Sequence, residues 1–542
     1  MKKLVYFLLV GMLTACQDGF LDRQPYDSLS SENAWISDDN ATIAINGIYN
    51  AMNSDDNLAG YFYIFTNIGP DGYGYFRDES IQRGLSTNRT GLYLNTYKGL
   101  YRVIKYTNDA IANLTDNTHL TPELASQLLG EAKFMRGLSY FYLWQLYGGV
   151  IILDQPLDPA DTYLPRNSAE EVRDFVIADF QDAIERLPVV RTGGDIGRIT
   201  KGAAITMLGK TYLYSEQWSE AAAQLKQLLS PPYAYGLFAD YAGLFTDQHE
   251  NNEEIVFSLQ SVMQNNLGSY YDRWYGGRSI RSYGESFSQP SWTTVFSYTH
   301  QDGSPIDPAG MPAEADYADE VAYGADLIDW YVNEFADADV RAHGNIIIPG
   351  YTIVGNENLT YKVNWPYTAH ANDEIPAYRI EFSSYALFSW RKMIMTGDAN
   401  TLRSDSPIDV PLIRFADVLL MYAEAVNEAG GPVNEAYQAV QRIRERAGVA
   451  PLEGNLGKEQ LRQAIRLERL KEFAGEGQLF FDVRRWRTAH TGDPIFGLNG
   501  MLLDFRGQPL YQRVFTEKDY LWPIPQQEID INNSLTQNPG WE

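Results

Sequence analysis

Residues Pro411–Gly431 read PLIRFADVLLMYAEAVNEAGG, and the rest of the chain is read outward from them. Leu412, Phe415, Ala416, Leu419, Ala423 and Val426 recur at three- and four-residue steps, which sets them on one helical face. Ile413, Val418, Leu420, Met421 and Tyr422 widen that face well beyond a surface stripe. A helix that is apolar over most of its girth is buried on several sides. Arg414, Asp417, Glu424 and Glu428 share the polar remainder, where Arg414 and Asp417, three apart, are spaced to pair. Gly430, Gly431 and Pro432 stop the helix. A second helix, Glu435–Arg446, follows so closely that the two must pack antiparallel.

Further helices are expected over Ala41–Met52, Leu92–Leu114, Glu123–Gly148, Ala169–Leu187, Lys201–Tyr214, Ser219–Leu229 and Lys458–Gly475. Ser168 is placed to cap the fourth of these, with Glu171 three residues on. Leu208, Gly209, Tyr212, Ala221 and Leu225 fall at offsets of the tetratricopeptide repeat, although Ile205 stands where that repeat has a tryptophan. The fold class expected is mostly α: a solenoid-like scaffold of tetratricopeptide-type helix pairs carrying a large, loop-rich insert. Two segments break the pattern. Tyr61–Arg83 interleaves aromatics with Gly69, Pro70, Gly72 and Gly74, and reads as a long loop. Residues 261–406 are rich in Tyr, Trp, Gly, Asn, Asp and Ser, with a helix expected at Leu327–Phe335 and a strand at Ile346–Val354; another strand is expected at Glu254–Gln260. So long an irregular insert is usually functional.

The 542 residues carry a formal charge of -27, which argues against nucleic acid and against electrostatic docking on anionic lipid. A single cysteine, Cys16, excludes an intrachain disulfide. Lys2 and Lys3, the apolar run Leu4–Met12 and Leu13-Thr14-Ala15-Cys16 look like a bacterial lipoprotein signal, cleaved before Cys16, which then carries acyl chains. Several acyl chains on one cysteine anchor stably, where a single chain does not. The six histidines are scattered without metal spacing, and no phosphate loop, dinucleotide fingerprint or nucleophile elbow is present. No metal or cofactor is expected. Nothing singles out a pair of catalytic carboxylates, and Asp302–Asp307 resembles a calcium loop only faintly.

AKFMRGLSYFYLWQLYGGV at 132–150, GRITKGAAITMLGKTYLY at 197–214, LIRFADVLLMYAEAVNEAG at 412–430, IRLERLKEFAGEGQLFFDVRRW at 465–486 and LWPIPQQEIDINNSLTQNPGW at 521–541 follow the lipobox in order. Together they resemble the SusD/RagB family of outer-membrane lipoproteins and cover the mature chain from end to end. The resemblance implies a non-enzymatic surface lipoprotein, anchored by lipid on Cys16 in the outer membrane. Such a protein binds a glycan and hands it to a SusC-like TonB-dependent transporter. Some family members take peptides instead; a glycan-degrading enzyme on the same scaffold is the third reading. The implied division is signal peptide 1–15, tether 16–40, N-terminal helical region 41–260, ligand-binding insert 261–406 and C-terminal helical region 407–542.

Aromatic planes meet the C–H faces of a sugar and Asp, Asn, Arg or Gln its hydroxyl rim. Three loops offer that combination. The first supplies Asp71, Tyr73, Tyr75, Phe76, Arg77 and Asp78. The second supplies Tyr270, Tyr271, Arg273, Trp274, Tyr275, Arg278, Arg281 and Trp292, and the third Trp365, Tyr367, Asn372 and Asp373. Trp274, in YYDRWYGGR, is the first candidate for an exposed platform. Glu468, Arg469, Lys471 and Glu472 read instead as an ion-pair set on the scaffold.

Overall fold

A computed structural model describes residues 33–54, 58–74, 79–157, 163–264, 267–280, 284–366, 375–378, 388–397, 405–431 and 433–542. Cys16, Tyr75, Phe76, Arg77, Asp78, Arg281, Tyr367, Asn372 and Asp373 lie outside them. The architecture is mostly helical, with short two-stranded sheets. The chain opens with α1 (Asp38–Met52), α2 (Leu58–Ile68) and the strand β1 (Gly72–Gly74). Then come α3 (Gly91–Leu114), α4 (Pro122–Tyr147), α5 (Ala169–Arg186), α6 (Lys201–Tyr214) and α7 (Trp218–Lys226), each packed on the next. α5 begins with the expected capping box, in which Glu171 N–H donates to Ser168 Oγ and Ser168 N–H to Glu171. Gly209 on α6 lies where a Cβ would come within 2.8 Å of Leu225 on α7, so a small residue is what lets these two helices close.

Strands β2 (Ile255–Leu259) and β3 (Ser288–Pro290) and the helix α8 (Glu320–Glu334) follow; β3 pairs antiparallel with β1. The strand expected over Ile346–Val354 is two short pieces, Ile346–Ile347 and Thr352–Val354, separated by a turn at Gly350, whose φ is +87°. The opening stretch divides in two. Val410–Arg414 is a strand, β4, antiparallel to β2; only Phe415–Glu428 is helix, α9. Pro411 is accommodated beside a register shift in that pair. α9 is buried from Phe415 to Asn427 and packs on α6, α7, α10 (Val433–Arg446) and α11 (Lys458–Phe473). It joins the N-terminal and C-terminal helices into one core. α12 (Leu479–Arg485) and the hairpin β5 (Gly500–Leu503) and β6 (Pro509–Arg513) complete the fold.

Two expectations are corrected here. Tyr61–Arg83 is not one long loop, because Leu58–Ile68 is helical. LAGYFYIFTNI is apolar all round, the signature of a buried helix, and Gly69 and Pro70 end it. Nor do Arg414 and Asp417 pair. Arg414, fully buried, binds Glu254 at 2.5 Å, Glu472 at 2.9 Å and Glu476 at 2.6 Å. Asp417 binds Lys210 at 3.1 Å and Arg469 at 2.8 Å. Arg414 belongs to the strand, so the helical three-residue spacing does not apply to it.

Glu468, Arg469, Lys471 and Glu472 of α11 are scaffold, and they are buried. Arg469 also holds Asp482 at 2.8 Å; Glu472 is shared by Arg414, Arg446 and Arg341; Glu468 by Arg341 and Arg444. Burial would raise the Asp417 carboxyl, but Lys210 and Arg469 outweigh it and hold it at about 2. Burial lowers Lys392 to about 8, although it donates to Glu476 at 2.9 Å.

Candidate functional site

The three loops singled out above meet on the β5–β6 hairpin. Its turn is built by Asp504, whose Oδ1 accepts from the Arg506 and Gln508 amides, each at 2.9 Å, with Gly507 at φ +77°. Tyr73 of the first loop packs on Leu502 and Tyr511. Trp292 of the second lies over Gly507, where a Cβ would meet its ring at 3.3 Å. Trp365 of the third contacts Phe505 (ring centroids 5.7 Å apart) and takes the Arg506 guanidinium over its face at 5.3 Å. β1 and β3 zip the first loop to the second, and Ser291 N–H and Thr294 Oγ1 both donate to the Asp71 carbonyl, at 3.0 and 2.9 Å. Gly277 N–H donates to Tyr378 at 3.0 Å, tying the second loop to the segment after the third. This hairpin was not anticipated from sequence, although the Asp504-Phe-Arg-Gly507 turn was there to be read.

Most of the expected platform residues point inward. Tyr271, Trp274, Tyr275, Tyr73, Trp365 and Asp71 are all buried, Trp274 to 5 % exposure. The expectation that Trp274 stands open is corrected: its indole stacks on Tyr63 at 4.2 Å and 27° and on Tyr270 at 4.9 Å and 15°. The physical reason is local. Tyr271–Trp274 forms a helical turn, and Tyr271 and Trp274, three apart on it, face the core. Tyr275 is used structurally, donating to the Gly475 carbonyl at 2.7 Å. Arg273 is paired with Glu285 at 2.7 Å. Asp71 accepts from Gly475 N–H at 2.9 Å, and burial raises its carboxyl to about 7 against the pull of that bond.

Two half-buried aromatic surfaces remain. One is Tyr270, whose ring is backed by Trp274 and then by Tyr63. The other is Trp292, Phe296 and Trp330, with centroids 4.3 Å apart for the first pair and 6.3 Å for the second. Phe296 and Trp330 were not picked out from sequence, because Trp330 sits in α8 with core-like helical spacing. Half-buried rings held by neighbouring rings can stack on a flat apolar face with little loss of side-chain freedom on binding. Among the described residues no cluster of His, Cys, Asp or Glu is arranged to hold a metal. The Asp302 carboxylate is spent on Ser304 N–H and Oγ, at 2.8 and 2.6 Å.

Residues 253–541 match the sequence model of the SusD family. The chain belongs to the SusD family. Residues 19–213 match a second SusD-like model, described as starch-binding associating with outer membrane. A SusD-like protein, P25, of Formosa agariphila is 26% identical over 99% of this chain and 97% of its own length. Among solved structures, a SusD-like protein of Bacteroides fragilis covers 96% of this chain and 100% of its own, with TM-score 0.78 and 23% identity. A SusD-like carbohydrate binding protein of the same species covers 93% and 99%, with TM-score 0.78 and 22% identity. For this SusD-family chain, those structures support the mostly helical fold.

Proposed function

We propose that this chain is a cell-surface lipoprotein that binds a glycan and delivers it to a SusC-like TonB-dependent transporter of the outer membrane. Its anchor is the acylated Cys16, and it is a binding protein, not an enzyme. The observation that carries the glycan reading is the set of half-open, back-supported aromatic rings on a chain of a family described by starch binding and outer-membrane association. Tyr270, Trp292, Phe296 and Trp330 are the proposed contacts. Trp274 acts through Tyr270, as the ring that holds it flat. Tyr75, Arg77 and Tyr367, on the same three loops, remain proposed contacts.

Calorimetric titration of lipid-free protein against soluble polysaccharides and peptides tests the reading. Binding of one glycan class without release of shorter products is the expected result. Silence on every glycan with a peptide hit replaces it with peptide uptake, and product release replaces it with an enzyme. Co-purification of the outer-membrane transporter with the tagged lipoprotein tests the delivery step.

A further inference from the structure

Away from the aromatic loops, a cavity of about 310 Å³ opens between α1, residues 194–198 and the segment that leaves β2. One wall is a stripe of carboxamides, Asn46, Asn50 and Asn53, at successive turns of α1, with Gln260 beside them. The facing wall is aliphatic: Ile196, Val262 and Leu267 stand there in solvent. Asn46 Oδ1 accepts from Arg198 at 2.6 Å, and Asn53 Nδ2 donates to the Gln260 carbonyl at 3.1 Å. Among the described residues, Asn53 Oδ1 has no hydrogen-bond partner and the Asn50 side-chain carboxamide makes no hydrogen bond.

The charge in the wall is already matched, since Arg198 is held by Glu131 at 2.9 Å and lies 3.8 Å from Asp195. The cavity therefore selects neither anion nor cation. Carboxamides both donate and accept, as hydroxyl groups do, and an aliphatic wall suits a C–H face. We propose that this cavity is a second carbohydrate site, taking about one or two neutral sugar rings at the small end of ligand-pocket sizes. It rests on the glycan reading above but uses none of the same side chains.

The test is saturation-transfer NMR titration with maltose, cellobiose, laminaribiose and mannobiose. It is run on the wild type, on Tyr270→Ala, and on Tyr270→Ala combined with Asn50→Leu or, separately, with Leu267→Arg. Asn50 and Leu267 are exposed, so melting curves are expected to match the Tyr270→Ala parent. Binding of at least one disaccharide should survive Tyr270→Ala, and both added substitutions should weaken what survives at least tenfold. Loss of all binding in Tyr270→Ala, or residual affinity changed less than twofold by both additions, overturns the second site while leaving the first. A wild type that binds none of these sugars or any larger glycan overturns both.

Discussion

Trp274 and Tyr270 touch, yet they are expected to fail differently when removed. Trp274 is enclosed by Tyr63, Tyr270 and Tyr271. Trp274→Ala leaves a cavity and should cost about 3–5 kcal/mol of stability, read from a denaturant titration. Tyr270→Ala removes a half-buried ring; it should lower the melting temperature much less than Trp274→Ala and weaken glycan binding about tenfold, since a ring–face contact contributes about 1–1.5 kcal/mol. Asp71 gives a prediction in pH. Its folded pKa, about 7, lies above the unfolded value near 3.8, so its contribution to stability is present at low pH and is lost as pH rises through 7. Asp71→Asn keeps an acceptor for Gly475 N–H and does not ionise. Its stability relative to the wild type should therefore rise by roughly 2–4 kcal/mol between pH 5 and pH 8.5, measured as paired thermal melts. At this scale the sequence shows which residue types gather, but not which way they face. YYDRWYGGR reads equally as an open loop or as a turn packed under itself, and the contacts that decide between them come from Tyr63 and Tyr378, far off in the chain.

At the scale of elements, helices with a clear period are legible to within a residue or two: α4, α5, α6 and α11 fall where their apolar spacing puts them. Misreadings occur where tertiary pairing overrides the local pattern. Val410–Arg414 has residues that suit a helix, but its partner β2 turns it into a strand and leaves Arg414 at the mouth of α9. That placement makes Arg414 the joint between sheet and helices, since its guanidinium meets Glu254 just before β2, Glu472 from α11 and Glu476 beyond it. Arg414→Met keeps much of the volume but takes one cation from three buried carboxylates, leaving Glu254 and Glu472 to Arg446 and Arg341 and Glu476 to Lys392. Removing one partner from a buried ionic cluster costs about 3–5 kcal/mol, so the variant should melt lower or accumulate as aggregate. A variant as stable as the wild type at pH 7 would show that the network is not held by this residue.

Across the whole molecule, the loops proposed to hold the ligand rest on a C-terminal hairpin while α9 locks that end of the chain to the N-terminal helices. The two ends of the sequence therefore share one core, and four of the five blocks quoted above were legible because each carries a buried helix, whereas 521–541 buries Trp522, Ile524 and Trp541 outside its short helix. The convergence of loops on residues 500–513 was not, since it depends on long-range contacts that no local period encodes. Among the described residues no helix is long and apolar enough to cross a membrane, and the proposed attachment is the lipid on Cys16. This makes attachment separable from binding. Cys16→Ser removes the acceptor sulfur but leaves every described helix and loop unchanged. Expressed in its own cell, the Cys16→Ser protein should move from the membrane pellet to the soluble fraction, and the cells should lose surface staining. Purified, it should bind the same glycan with unchanged affinity, because the proposed aromatic contacts are braced from within the fold. Retention in the membrane fraction after Cys16→Ser would mean that the transporter or the lipid surface holds the folded body directly, and a wash at high salt would then distinguish a charge-based contact from an apolar one.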